Sequence, residues 1–298
     1  MMNSSHTPRI TPMDSAFVSR CLNDFLRSKS ETLHKISSEP SKLLQTRFSL
    51  VAMDCLAIAL YYYGLGYPPD VVRNAFSEAA SARLKVFELR GTEDPFSVSI
   101  LTVDPTKSED DPAFVVADRQ RYAPGAKDYS PTNSKDCFEG ICMALVAGDY
   151  AIAEKLADHM WDPPNATYIG VHSEVCTPNQ QHLAYAVRHL LQDRPDEVRK
   201  ELKRVRCRKK EDQVAIMATM VGGLSEKNEV LFLDGLQELL CWHREQVKHP
   251  SNKNEPEMYL CIPGLALCVL AGRRGLKAEL PDDPYLPLEL IPENATSP

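Results

Sequence analysis

The sequence predicts an all-α, mainly helical fold of about ten helices stacked as antiparallel pairs, with room for one small β-hairpin between residues 91 and 131. Three observations predict it. Leucine, alanine and valine recur at helical spacing along most of the chain. A turn pattern occurs twice, as ALVAGDYAIAEKLA (Ala144 to Ala157) and LCVLAGRRGLKAEL (Leu267 to Leu280). Each copy is an apolar run, an Ala-Gly pair and two polar residues. Glycine takes the left-handed conformation that ends a helix, so Gly148 and Gly272 are each expected to close one helix before an antiparallel neighbour. The third observation is a variant, AIALYYYGLGYPPDVV (Ala57 to Val72), with Gly64 and Gly66 in the break. The repeat is degenerate and does not define a solenoid of fixed period.

The elements follow in order. Thr11 can cap a first helix with Pro12 in its first turn and Asp14 in the acidic zone. Phe17, Cys21, Leu22, Phe25 and Leu26 form its apolar face. After Pro40, a second helix is expected from Ser41 to Tyr63, apolar nearly all round and therefore buried. Pro68-Pro69 opens a third, carrying Val72, Ala75, Phe76 and Ala79. In the proline-rich excursion 91–131, SVSILTV and AFVVA have the alternation of a hairpin. Helices resume at Ser134. Thr177-Pro178-Asn179-Gln180 reads as a capping box with a first-turn proline. A helix from Pro195 is expected to carry the basic run Arg199 to Lys210. Asp212 to Val221 is read as a short helix closed by Gly222-Gly223, and Ser225 to Val247 as the long C-terminal helix. Met258 to Ala271 is read as a buried helix kinked at Pro263. The segment DDPYLPLELIP is expected to lie extended across a groove. Residues 1–90 and 132–298 are thus two helical parts, packed as one unit, with 91–131 as linker or excursion.

With 298 residues, such a chain buries roughly 75% of its extended surface. The hydrophobic share of 43% and charged share of 25% are those of an ordinary globular protein. The net charge of -7 disfavours nucleic acid and favours a basic protein partner. The basic run opposes that average, but it lacks interleaved aromatics for base stacking and reads as a solvated face. The nine cysteines contain no CxxC pair. Cys55, Cys142, Cys241 and Cys268 sit inside apolar helical patterns, as small buried residues in a reducing compartment do. The N-terminal residues lack the pattern of a signal peptide, and Val51 to Tyr63, which contains Asp54, is short for a membrane span. Both predict a cytoplasmic protein with no membrane contact.

No phosphate-binding loop, HExxH, GxSxG or dinucleotide fingerprint is present, and no cofactor is implied. The candidate for chemistry is HSEVC, His172 to Cys176. In an extended segment His172, Glu174 and Cys176 point the same way. With His182 they could ligate a metal or supply a nucleophile and base. The alternative is a loop running into the Thr177 cap. His182 and His189 lie two turns apart on one helix with Tyr185 between them, forming either an interface ridge or a filled groove. Acidic residues recur on helix faces read as exposed: Glu226, Glu229, Asp234 and Glu238 early in the long helix, and Asp282-Asp283 in the tail. They are either ordinary solvated surface or a face for a basic protein.

In its second half the chain resembles the Imm49 family of bacterial polymorphic-toxin immunity proteins. The resemblance lies in CMALVAGDYAIAEKLA (Cys142 to Ala157), VLFLDGLQELLCWHRE (Val230 to Glu245), IPGLALCVLAGRRGL (Ile262 to Leu276) and DDPYLPLELI (Asp282 to Ile291). It implies a helical, non-enzymatic cytosolic protein that protects its cell by binding a cognate secreted toxin. It carries no position-by-position binding signature. The acidic balance extends this to a basic toxin, such as a nuclease, whose active region would be occluded. Two other readings stand beside it: a metal-binding protein or hydrolase built on His172, Glu174, Cys176 and His182, and a helical-repeat adaptor with a peptide groove.

Overall fold

The structure is a computed structural model describing residues 15–38, 44–89, 99–103, 115–119, 133–160, 177–206, 212–252 and 255–292. Among these residues there are ten α-helices. They are α1 (Ser15–Ser38), α2 (Leu44–Gly64), α3 (Pro69–Glu88), α4 (Ser134–Ala147), α5 (Tyr150–His159), α6 (Pro178–Leu191), α7 (Pro195–Leu202), α8 (Gln213–Glu226), α9 (Glu229–Lys248) and α10 (Ile262–Arg273). The expected hairpin is present in backbone form. Strand β1 (Ser99–Val103) pairs antiparallel with β2 (Val115–Arg119), in a register that sets Leu101 opposite Ala117. The helical class expected from apolar spacing is the class observed.

Sequential helices pack on one another. α2 lies between α1 and α3, α3 passes the contact on to α4, and α4 touches α5, α6 and α10. α6 meets α7 and α8, and α8 meets α9. One hydrophobic cluster joins Ala52, Leu60 and Phe76 to Ile141, Leu183, Met220 and Leu267. The centre of α2 is buried on nearly every side, as an all-round apolar helix must be. It begins at Leu44 and is 21 residues long. Among the described residues it alone is long and apolar enough to cross a membrane, contrary to the reading of that segment as too short. In this fold its apolar centre supplies core.

The caps explain where helices begin. Thr177 accepts from the Gln180 amide at 3.3 Å, and Gln180 Oε1 accepts from the Thr177 amide at 2.9 Å, completing the capping box. The side chains of Asn133, Asp149, Asp212 and Asn228 each accept a backbone amide at the start of α4, α5, α8 and α9. Residues 11–14, where the first cap was expected, lie outside the described residues.

Four expectations about helix ends are corrected. Gly148 does close α4 at φ 79°, and Gly66 has φ 76°. Gly272, however, stays helical and the left-handed residue is Gly275 at φ 77°. Among the described residues no α-helix follows it, so the second copy of the turn pattern opens an extended tail. Pro263 sits in the first turn of α10, where its missing N–H costs nothing, so that helix has no kink there. α7 ends at Leu202, and the basic run continues beyond it. Gly222 and Gly223 lie within α8, which continues to Glu226 and closes at Lys227 in the left-handed region.

The reason for the glycine pair is contact with the next helix. A Cβ on Gly223 would lie 2.7 Å from the Phe232 amide nitrogen and 3.0 Å from its Cα. Backbone cannot yield as a side chain can. α9 answers with Gly235, whose Cβ would lie 2.7 Å from Met220 Cγ and 3.2 Å from the Met220 amide. Alanine at 223 would gain about 1 kcal/mol of helix propensity, against an overpacking cost of about 1–3 kcal/mol. Gly223→Ala is expected to lower unfolding free energy by a net of up to about 2 kcal/mol in a urea titration. Gly275→Ala, with open space around it, is expected to show only the left-handed backbone cost of about 1–2 kcal/mol, with no change in the packing of α8 on α9.

Candidate partner interface

Three of the six acidic candidates, Glu229, Asp234 and Glu238, lie on α9. Its inner face buries Phe232, Gly235, Leu236, Leu239 and His243. The helical period places Val230, Asp234, Glu238, Cys241 and Glu245 on the opposite side, and all five are exposed. Val230 is 70% exposed, the most open of the large apolar side chains among the described residues. Glu245 is paired with Lys248 at 2.7 Å. Asp234 and Glu238, one turn apart, have no ion-pair partner among the described residues. Two like charges at this spacing repel slightly.

The other acidic candidates fall differently. Glu226 is exposed but belongs to the end of α8, across the Lys227 turn. Glu229 is exposed and its carboxylate accepts from the Lys277 amide at 3.1 Å. Asp282 is exposed. Asp283 is not available to a partner: its side chain is 2% exposed and pairs with Arg244. Its second oxygen accepts from the Tyr285 amide at 2.9 Å. The expectation that it faces outward fails because Leu286, Leu290 and Ile291 carry this segment into the core.

Glu229 and Asp283 show how the tail is laid down. The helical rise carries Glu229 to Arg244 across about 22 Å, and extended chain covers about 20 Å from Lys277 to Asp283. The tail therefore runs alongside α9, tied at both ends. It then crosses to the N-terminal helices. The Tyr63 hydroxyl donates to the Pro284 carbonyl at 3.0 Å, and Arg73 Nη1 donates to the Glu289 carbonyl at 2.9 Å. A Cβ on Gly148 would lie 3.0 Å from Pro292 Cγ, so the strap reaches the α4–α5 turn. The expectation of a segment lying across helices is met, with a 3-10 turn at Leu288–Leu290.

Of the chemical candidates, His172, Glu174 and Cys176 lie outside the described residues. His182, on α6, has Nδ1 2.7 Å from Glu201 Oε2 on α7. Glu201 also accepts from Arg204 at 2.9 Å. Burial alone would raise the Glu201 pKa, but the His182 bond and the Arg204 charge together hold it below the usual value. The pair ties two helices. Tyr185 and His189 are buried, with ring centroids 6.5 Å apart, so this ridge is filled from inside. Among the described residues, no group of three His, Cys, Asp or Glu side chains is placed to hold a metal ion. Three of the five basic residues in the described part of the run pair with nearby carboxylates: Arg199 with Asp196, Lys200 with Glu197, and Arg204 with Glu201. Residues 207–211 lie outside the described residues.

Fold and surface together define an α-helical protein whose uncompensated charge is displayed on outward helix faces. The chain belongs to the Immunity protein 49 (Imm49) family, whose family model matches residues 65–290. No curated protein and no solved structure matches it. The sequence resemblance to Imm49 is thereby borne out, and the family makes this an immunity protein directed against a toxin.

Two outcomes test the site geometry. Asp283→Ala removes a buried acceptor and is expected to cost about 1.5–3 kcal/mol in chemical unfolding, whereas Asp282→Ala stays within about 0.5 kcal/mol. The second concerns His243, whose Nε2 lies 3.1 Å from the Met258 carbonyl. Burial disfavours its imidazolium and lowers its pKa from 6.5, outweighing the Met258 carbonyl and Asp283, which favour it. Folding therefore favours the neutral ring. Its stabilising contribution is complete above pH 6.5 and declines as pH falls below that value. Melting temperature measured from pH 7.5 down to 5 should fall, and His243→Gln should flatten that decline.

Proposed function

We propose that this chain neutralises its cognate toxin by stoichiometric binding in the cytosol, covering the toxin's active region without catalysing a reaction. Membership of the Imm49 family carries the reading. The surface supports the finer version. An overall charge of -7 favours a basic partner, and the outer face of α9 offers Asp234 and Glu238 with Glu226 nearby in sequence. Carboxylates held on a rigid helix without internal partners accelerate encounter with an oppositely charged cleft. Basic clefts are what enzymes acting on nucleic acid need, so a nuclease is the toxin class proposed. Val230 supplies an apolar contact that could be desolvated at the centre of such an interface.

The test is calorimetric titration with the product of the adjacent gene. Binding at one-to-one stoichiometry with a dissociation constant in the micromolar range or tighter is expected, together with loss of toxin activity at equivalence. Absence of binding at micromolar concentration overturns the proposal. Within it, Asp234→Lys with Glu238→Lys should slow association about tenfold at low salt while leaving the melting temperature nearly unchanged. A strongly acidic toxin, or one acting only on cell wall, defeats the electrostatic part.

A further inference from the structure

α1 is long but thinly held. Of its 24 residues only Val18, Leu22 and Thr32 are buried, whereas α2 buries ten residues out of 21 and α3 ten out of 20. Its second half, from Ser30 to Ser38, buries Thr32 alone, and Leu26 and Leu33 are exposed. Val18 and Leu22 enter the core, and Phe17, Cys21, Phe25 and Ile36 pack half-buried against it; beyond Phe25 the contacts to α2 and α3 become mainly polar. Ser28 donates to Asp54 at 2.8 Å, Lys29 pairs with Glu78, and Arg47 donates to the Lys35 carbonyl at 2.6 Å. The aromatic contact is Phe25 on Tyr61, with centroids 5.8 Å apart.

Beneath it are groups unlike the rest of the core. Asp54 is buried and its carboxyl is raised above the ordinary value by desolvation, partly offset by Ser28 and Lys29. Cys55 is buried with Sγ 3.8 Å from Glu78 Oε2, and it faces the Lys29 ammonium. The polar part of this seam gains little when closed, because hydrogen bonds to water replace those lost on opening, and the apolar part is confined to Val18, Leu22 and the half-buried Phe17, Cys21, Phe25 and Ile36. Apolar interfaces such as α8 on α9 have no such replacement.

We propose that α1 is a hinged cover that opens while α2 to α10 remain folded, uncovering Asp54, Cys55 and Tyr61. Local units of this kind open at free energies well below that of global unfolding. The inference rests on packing alone and stands whether or not the toxin-binding reading holds.

Cys55 makes it measurable in the full chain. Native protein is treated with N-ethylmaleimide, and each cysteine's alkylation rate is followed by mass spectrometry and normalised to its rate in urea. Cys241, which is exposed, reports the rate without protection, while Cys142 and Cys268 report global opening. Cys55 is expected to react at least about tenfold faster than Cys142 and Cys268. Lys29→Ala should raise the Cys55 rate further and leave those of Cys142 and Cys268 within about twofold. Equal rates at Cys55, Cys142 and Cys268 would overturn the proposal. So would an equal acceleration of all three by Lys29→Ala, which would mean that α1 opens only when the whole molecule does.

Discussion

Asp283 is a carboxylate inside an apolar segment, and the strap around it depends on what satisfies that charge. Arg244 of α9 supplies the counter-ion and the Tyr285 amide a hydrogen bond. A buried carboxylate without them would carry a desolvation cost larger than any gain from the neighbouring leucines. With them, the strap can turn sharply at Asp283 to Leu286 and bury Leu286 and Leu290 against the core. It also presents backbone carbonyls to Tyr63 and Arg73. The first helices and the last are thus held by the same segment, and the Cys261 amide before α10 donates to the Tyr285 carbonyl at 2.9 Å within it.

The same helix that holds the strap displays the acidic face. Its inner stripe is committed to α8 through Phe232 and Gly235, and one flank to the strap through Glu229 and Arg244. Only the remaining side is free to vary in chemistry without unsettling the fold. The acidic residues that serve structure and those left uncompensated are neighbours in sequence, and direction around the helix separates them.

Signals that act over a few residues were legible before folding was considered. The capping box at Thr177 and Gln180, the left-handed glycine at 148 and the all-round apolar centre of α2 depend on local geometry, and all stand in the structure. Signals that depend on a distant partner were not. Gly222-Gly223 has the composition of a stop, yet it is a contact surface for Phe232. Pro263 resembles a kink only until the helix start is known. Asp282 and Asp283 are indistinguishable in sequence, and only the burial of Leu286 and Leu290 decides which is exposed. The outer stripe Val230, Asp234, Glu238, Cys241 and Glu245 could have been found from helical spacing alone. Glu245 continues that stripe into the second half of the helix, beyond the acidic group that ends at Glu238.

The strap's bonds to α2 and α3 join residues 221 and 216 positions apart in the chain. Closing so long a loop is entropically costly, and the cost falls once α2 and α3 hold Tyr63 and Arg73 as fixed docking points. The two ends of the chain are therefore fastened by contacts whose worth depends on the helices between them being in place.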